Sequence, residues 1–308
     1  MAGSRKNFRA IDGILLLDKP EGLSSNQALQ RVRRLYQARK AGHTGSLDPL
    51  ATGLLPVCLG EGTKISGFLL DADKRYRVRC RLGVTTTTGD SEGETLRTRP
   101  VPAVDGVALE RAMAALRGPI DQVPPMYSAL KHNGERLYKL ARQGLEVERK
   151  ARPVIIHAFD LIARDGEDLT LDVHCSKGTY VRTLVEDLGE LLGCGGHVTM
   201  LRRTALGPFE QPAMTTLDSL AELAAAGGLA ALDDRLLPVE AGLSRWPDVR
   251  LQEDAAHYIL QGQAVRVPAA PDTGMVRLFG PDRFLGMGIM LDDGRVAPKR
   301  LLREQKNP

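Results

Sequence analysis

The run Lys74-Arg75-Tyr76-Arg77-Val78-Arg79-Cys80-Arg81-Leu82 leaves its backbone very little choice. Successive side chains of a strand point to opposite faces. Arg75, Arg77, Arg79 and Arg81 therefore share one face, and Tyr76, Val78, Cys80 and Leu82 share the other. The apolar face calls for a core. Solvent faces usually mix Thr, Ser, Glu and Lys, so four arginines at alternate positions call for an anionic partner such as phosphate. Residues 169–175 alternate in the same way. Together the two runs fit an antiparallel sheet with one covered face, with His174 on the polar side as a solvated residue.

At 308 residues, 43% of them apolar, the chain can bury a real core and is long enough for a large domain plus a small one. Its net charge of +4 is modest, so the placement of charge matters more than the total. Cys58, Cys80, Cys175 and Cys194 are scattered without a C-x-x-C pair, and the six histidines form no H-E-x-x-H pattern. Neither a disulfide framework nor a metal centre is expected. Gly62-Thr63-Lys64 lacks the Gly-Lys order of a phosphate-binding loop, so no nucleotide cofactor is expected either. The start of the chain is basic, but the apolar run Ile14-Leu15-Leu16-Leu17 is too short for a secretory core or a bilayer span. The reading is a soluble, cytoplasmic protein.

Residues 14–17 read as a buried strand that ends in the turn Lys19-Pro20-Glu21-Gly22. Ser24 or Ser25 then caps a helix with Leu29, Val32, Leu35 and Tyr36 on one face. Further helical patterns cover 108–117 and 184–192, each closed by a glycine. Residues 124–152 form a basic excursion in which Lys131, Arg136, Lys139, Arg142, Arg149, Lys150 and Arg152 are interleaved with Tyr127 and Tyr138. That mixture suits RNA, which offers both phosphates and unstacked bases. A charge-rich surface helix accounts for it almost as well. Beyond residue 248, one short helical pattern (251–260) and small strands (264–267, 275–279, 284–291) suggest a compact β-barrel module.

Between the first helix and the arginine strand lies Gly42-His43-Thr44-Gly45-Ser46-Leu47-Asp48-Pro49-Leu50-Ala51-Thr52-Gly53. It sets one carboxylate and one imidazole among glycines, and proline pushes Asp48 towards an extended conformation. Asp-Pro by itself is also an ordinary helix opening.

The whole string resembles the catalytic loop of the TruB-type pseudouridine synthases. Lys74-Arg75-Tyr76, the stretch from Ser176 to Leu184, the stretch from Gly195 to Arg203 and the terminal module resemble that family as well. The resemblance implies a uridine-to-pseudouridine isomerase acting on position 55 in the T-arm of tRNA, and it covers most of the chain. It implies a fold of class α+β, with a mixed, mostly antiparallel central sheet flanked by helices. The implied domains are a catalytic domain over 1–248, carrying the excursion as an RNA-binding thumb, and a PUA-like RNA-binding domain over 249–308. It implies Asp48 as the essential carboxylate, with Arg182 orienting it and keeping it charged. Tyr76 is implied as the stacking ring, Tyr180 and Leu201 as pocket lining, and His43 as the residue that holds the RNA open. Lys19 and Lys64 are expected to meet phosphate or to support the pocket. No metal, cofactor, membrane or obligatory protein partner is implied, and a monomer is expected.

The chemistry agrees with a single acid. Breaking the N1–C1′ bond, turning the base and rejoining it through C5 wants no water, whereas hydrolytic glycosidases normally use two carboxylates. Attack at C1′, addition to the pyrimidine and abstraction of a sugar proton all remain open for Asp48, and all need it ionised in a largely dry cleft. Two rival readings share these residues: a non-catalytic RNA-binding or RNA-folding protein, and a hydrolytic nucleoside enzyme.

Overall fold

The strongest sequence pattern is also the clearest strand of the protein. In the computed structural model, Lys74–Leu82 alternates buried and exposed from end to end, with only Arg77 half-buried on the outer face. The structure describes residues 8–267 and 273–303; most of the basic start of the chain lies outside them. The class is the expected one, α+β with a mixed, mostly antiparallel sheet flanked by helices and a small β-module at the C-terminus. The chain clusters into two compact units: Met1–Pro49 with Gly53–Leu70 and Gly207–Pro308, and Leu50–Thr52 with Asp71–Leu206.

The first unit is built on Gly13–Lys19, which pairs antiparallel with Thr52–Leu59 and parallel with Thr215–Thr216. Ala41–His43 lies on the far edge of Thr52–Leu59. Both long strands are buried almost throughout, which explains their unbroken apolar runs. The helix Ser25–Leu35 begins with a full capping box: the Ser24 hydroxyl accepts from the Gln27 amide at 3.2 Å, and the Gln27 side chain accepts from the Ser24 amide at 2.8 Å. Tyr36, closing this helix, is fully buried and donates to the Leu232 carbonyl at 2.7 Å. Leu232 belongs to the helix Leu217–Asp233, which is kinked at Gly228 where φ is +64°.

The terminal module is a curled sheet in the order Asp248–Arg250, Gly274–Phe279, Phe284–Met290, Arg295–Leu301, Val265–Arg266. The helix Glu253–Leu260 covers it, and Val249, Leu251, Ile259, Val276, Leu278, Leu285 and Val296 form a core of its own. The module is tied to the rest of its unit. Lys64 donates to the Leu301 carbonyl at 2.9 Å, and the Arg303 amide donates to Glu61 at 2.7 Å.

In the second unit five antiparallel strands follow the order Gly196–Leu206, Lys74–Leu82, Asp168–Cys175, Arg152–Asp165, Gly118–Gln122. The helices Gly106–Ala115 and Val181–Leu191 belong to this unit. Part of the arginine face is engaged within the sheet itself. Arg81 makes a two-pronged contact to Asp168 at 3.0 and 2.8 Å, and Arg77 pairs with Asp172 at 3.4 Å. Both carboxylates stand directly opposite on the neighbouring strand, so part of the positive stripe is balanced within the sheet.

The excursion is mostly irregular. Its ordered parts are the hairpin Lys131–His132 and Glu135–Arg136, turning on Asn133 and Gly134 with φ of +48° and +88°, and the helix Leu137–Arg142. Arg149 donates to the Pro124 carbonyl at 3.2 Å and closes the base of the excursion, so one of its cations is used structurally.

Candidate active site

Asp48 lies in irregular backbone between Ala41–His43 and Thr52–Leu59, half-buried, and not at the start of a helix. Gly45 and Gly53 take φ of +121° and +94°, conformations that side chains resist. Both neighbours of the acid are pinned. Ser25 Oγ, almost fully buried, accepts from the Leu47 amide at 2.7 Å and donates to the Leu47 carbonyl at 3.1 Å. The Pro49 carbonyl accepts from the Gly22 amide at 2.9 Å and from Lys19 Nζ at 3.3 Å. Lys19 has no solvent exposure, and its ammonium also donates to the Pro20 carbonyl at 2.8 Å and the Leu23 carbonyl at 2.5 Å. Lys19 therefore fastens the turn at 20–23 to the residue after the acid. The first residue of one helix and the last residue of one strand thus fix the backbone on both sides of the acid.

His43 ends its short strand five residues upstream, opposite Val57 and half-buried. Lys64 is placed elsewhere in this unit. It pairs with Glu61 at 2.5 Å and holds the C-terminal strand through Leu301.

The second unit gathers the remaining candidates. Tyr76 is on the covered face of its strand, 8% exposed, in register with Val173 on one side and Arg203 on the other. Leu201, also buried, stands opposite Val78, so the ring and the leucine share one face of adjacent strands. Arg203 is 1% exposed, and beside it Lys74 has its pKa pushed down to about 8, first by burial and then by the Arg203 charge.

Tyr180 and Arg182 flank the start of the helix Val181–Leu191. The Tyr180 backbone is gripped by a buried amide: Gln122 Oε1 accepts from the Tyr180 amide at 2.7 Å, and Gln122 Nε2 donates to its carbonyl at 3.1 Å. Arg182 is 4% exposed. Its guanidinium donates to the carbonyls of Thr88 at 2.6 Å and Tyr127 at 2.7 Å and lies 3.5 Å from the buried Asp90 carboxylate. Tyr127 belongs to the basic excursion, so this arginine joins the excursion to the turn at 88–90. One turn along the helix, burial raises the Glu186 carboxyl to about 7, against the opposing pull of Arg182.

Ser25 and Gln122 were not among the sequence candidates, because each acts through a partner 22 or 58 residues away. The only hint was the doubled serine at 24–25, where a cap needs one.

Comparison with known proteins bears on the chain as a whole. Residues 33–181 match the description "TruB family pseudouridylate synthase (N terminal domain)", 182–244 match "tRNA pseudouridylate synthase B C-terminal domain", and 247–302 match "Pseudouridine synthase II TruB, C-terminal". A Nitrosococcus oceani protein named tRNA pseudouridine synthase B is 58% identical over 96% of each chain. Proteins of that name from Pseudomonas aeruginosa and Coxiella burnetii are 57% and 55% identical, covering 98% and 96% of this chain and 100% and 96% of theirs. Among solved structures, an H/ACA RNP bound to a substrate RNA containing 2′-deoxyuridine matches with a TM-score of 0.73 at 22% identity, over 96% of this chain and 86% of that one. The archaeal box H/ACA sRNP Nop10-Cbf5 complex matches with a TM-score of 0.71 at 21% identity, over 96% and 87%. At those identities the likeness concerns the fold.

Proposed function

The chain belongs to the TruB family of pseudouridylate synthases, and on that footing we propose that it isomerises the uridine at position 55 in the T-arm of tRNA. The observation that carries the proposal is Asp48: one carboxylate in a glycine-bounded loop whose neighbours on both sides are pinned by Ser25, Gly22 and Lys19. Pseudouridine formation breaks N1–C1′, forms C5–C1′, and moves one proton from C5 to solvent while N1 gains another. Atoms balance within one nucleotide and no oxidation state changes, so one ionised acid and a site that keeps water out meet the chemical need.

In this reading Asp48 is the essential carboxylate, whether it attacks C1′, adds to the pyrimidine or removes a sugar proton. Arg182 orients it. A guanidinium has five N–H donors, enough to serve the Thr88 and Tyr127 carbonyls and a carboxylate as well. Tyr76 stacks on the everted base, Tyr180 and Leu201 line its pocket, and His43 fills the space the base leaves in the RNA. Flipping costs a few kcal/mol and one stacked ring returns roughly 1–3 kcal/mol, so several contacts share the work. The basic excursion acts as a thumb on the RNA within a catalytic domain over 1–248, and the module over 249–308, with its own core, is a second RNA-binding surface. Lys19 and Lys64 support the scaffold. We place the enzyme in the cytoplasm with its tRNA substrate, working as a monomer without cofactor. Among the described residues no helix is long and apolar enough to cross a membrane.

The test is to map pseudouridine in transcribed tRNA after incubation with the wild-type protein and with Asp48→Asn. The wild type should convert the T-arm uridine, and the variant should bind the RNA without converting it. Conversion by the variant refutes the role of Asp48. RNA binding without product by the wild type would mark a non-catalytic protein, and release of free uracil a hydrolase.

A further inference from the structure

We propose that Asp73, His157 and His174 form a binding site for a late first-row divalent metal ion of the zinc or nickel type, on the polar face of the second unit's sheet. His157 Nε2 lies 3.2 Å from Asp73 Oδ2. The two imidazoles stand with centroids 4.7 Å apart at 43°. One donor atom from each of the three residues falls within 4.8 Å of the others. Ligands bound at about 2.0–2.1 Å around a tetrahedral ion are themselves roughly 3.3 Å apart. The His157–Asp73 pair already has that spacing. The remaining closure of roughly 1.5 Å is within the reach of χ rotations of partly exposed side chains.

The backbone supplies a second, independent observation. Ile156 faces Cys175 and Ala158 faces His174, so His157 is the extra residue of a β-bulge opposite His174. The ladder then resumes at Phe159 and Val173. A bulge frees one residue from the ladder and aims its side chain, and bulges gather beside functional sites. This one puts two imidazoles against one patch. Asp73, the residue before the arginine strand, brings the carboxylate from a third segment.

The donor set selects the class of ion. Two imidazoles and one carboxylate suit zinc, nickel or copper, whereas calcium and magnesium prefer all-oxygen shells. Three protein ligands leave a coordination position for water or an anion. Arg75 stands opposite His174 and repels a cation, and Asp71 is engaged by Lys177 at 2.9 Å. The site therefore binds more weakly than a closed structural zinc centre. The ion would join the residue before the strand Lys74–Leu82 to the two strands beyond it, a staple separate from the isomerisation chemistry.

The experiment is calorimetric titration of the full-length, chelator-stripped protein with zinc sulfate and with nickel chloride, paired with thermal melts in each metal. The wild type should bind a single equivalent and melt at a higher temperature with metal. His157→Ala and His174→Gln should each weaken binding by roughly tenfold or more, since even outer-shell changes cost about 10–100-fold. The double variant should lose saturable binding and the thermal shift, and His132→Ala, in the excursion, should keep both. Circular dichroism confirms that each variant is folded, and His157→Ala, altering a partly exposed side chain, guards against misfolding of the His174 variant. Absence of saturable binding in the wild type, or unchanged binding in the folded double variant, overturns the proposal.

Discussion

Replacing Ser25 with alanine removes one oxygen and two hydrogen bonds, both to Leu47, the residue before the acid. Ser25 is 3% exposed, so water does not readily take its place. The Leu47 amide, bonded at 2.7 Å, is left as a buried donor without this partner, which costs about 1–3 kcal/mol. A melting midpoint lower by about 2–6 °C should follow. The larger effect is expected on the rate. With this pin gone, the residue before Asp48 is held less firmly, and a displacement of about 1 Å can cost on the order of 100-fold in turnover. The expected result is a kcat reduced by about 10–100-fold, measured by tritium release from C5-labelled tRNA below both melting midpoints, with tRNA affinity unchanged. Ser24→Ala is the matched control. It deletes the helix cap, costs about 1 kcal/mol, and should leave kcat alone. A Ser25→Ala protein that is destabilised but turns over like the wild type would refute the claim that this hydroxyl positions the acid.

Gln122→Leu keeps the volume but removes both bonds to the Tyr180 backbone; we expect a raised KM for tRNA together with about 1–3 kcal/mol of lost stability, and wild-type kinetics would remove Gln122 from the site. The Glu186 carboxyl, raised by burial to about 7, holds its proton more tightly folded than unfolded. Its contribution is therefore fully present below about pH 4.5 and is lost as pH rises through about 7, a change of roughly 2–3 kcal/mol. Urea unfolding at pH 5 and pH 8 should show the wild type losing stability relative to Glu186→Gln over that interval, and parallel curves would contradict the assignment.

What the sequence disclosed depended on whether the signal was local. The alternation over Lys74–Leu82 is a short-range pattern and appears as read, and the helix cap, left open between Ser24 and Ser25, falls at Ser24. The strand Arg152–Asp165 has 14 residues and was not foreseen, because bulges after Ile156 and Leu161 break its period of two and Pro153 sits at its start. The helix Leu217–Asp233 was hidden by Ala- and Gly-rich composition and by the kink at Gly228. The arginine stripe was visible, but Asp168 and Asp172 become its partners only when a strand some ninety residues later lies alongside. At the candidate site the acid, the rings and the arginine were legible as motifs. Gln122, which holds the Tyr180 backbone, was not, and Ser25, which holds the residue before the acid, was marked only by the doubled serine, since a tertiary hydrogen bond leaves little trace near either partner.

Lys64 and Glu61 grip the final described strand through Leu301 and Arg303, inside the same compact unit as the Asp48 loop. Trimming the chain after residue 248 would do more than shed an appendage. It would strip the 60–64 turn, at the end of the strand that leads away from the acid, of two of its anchors. Loss of activity in such a shortened protein would then report damage to the scaffold as much as a missing RNA grip. Separating the two calls for surface substitutions on the module and not for deletion.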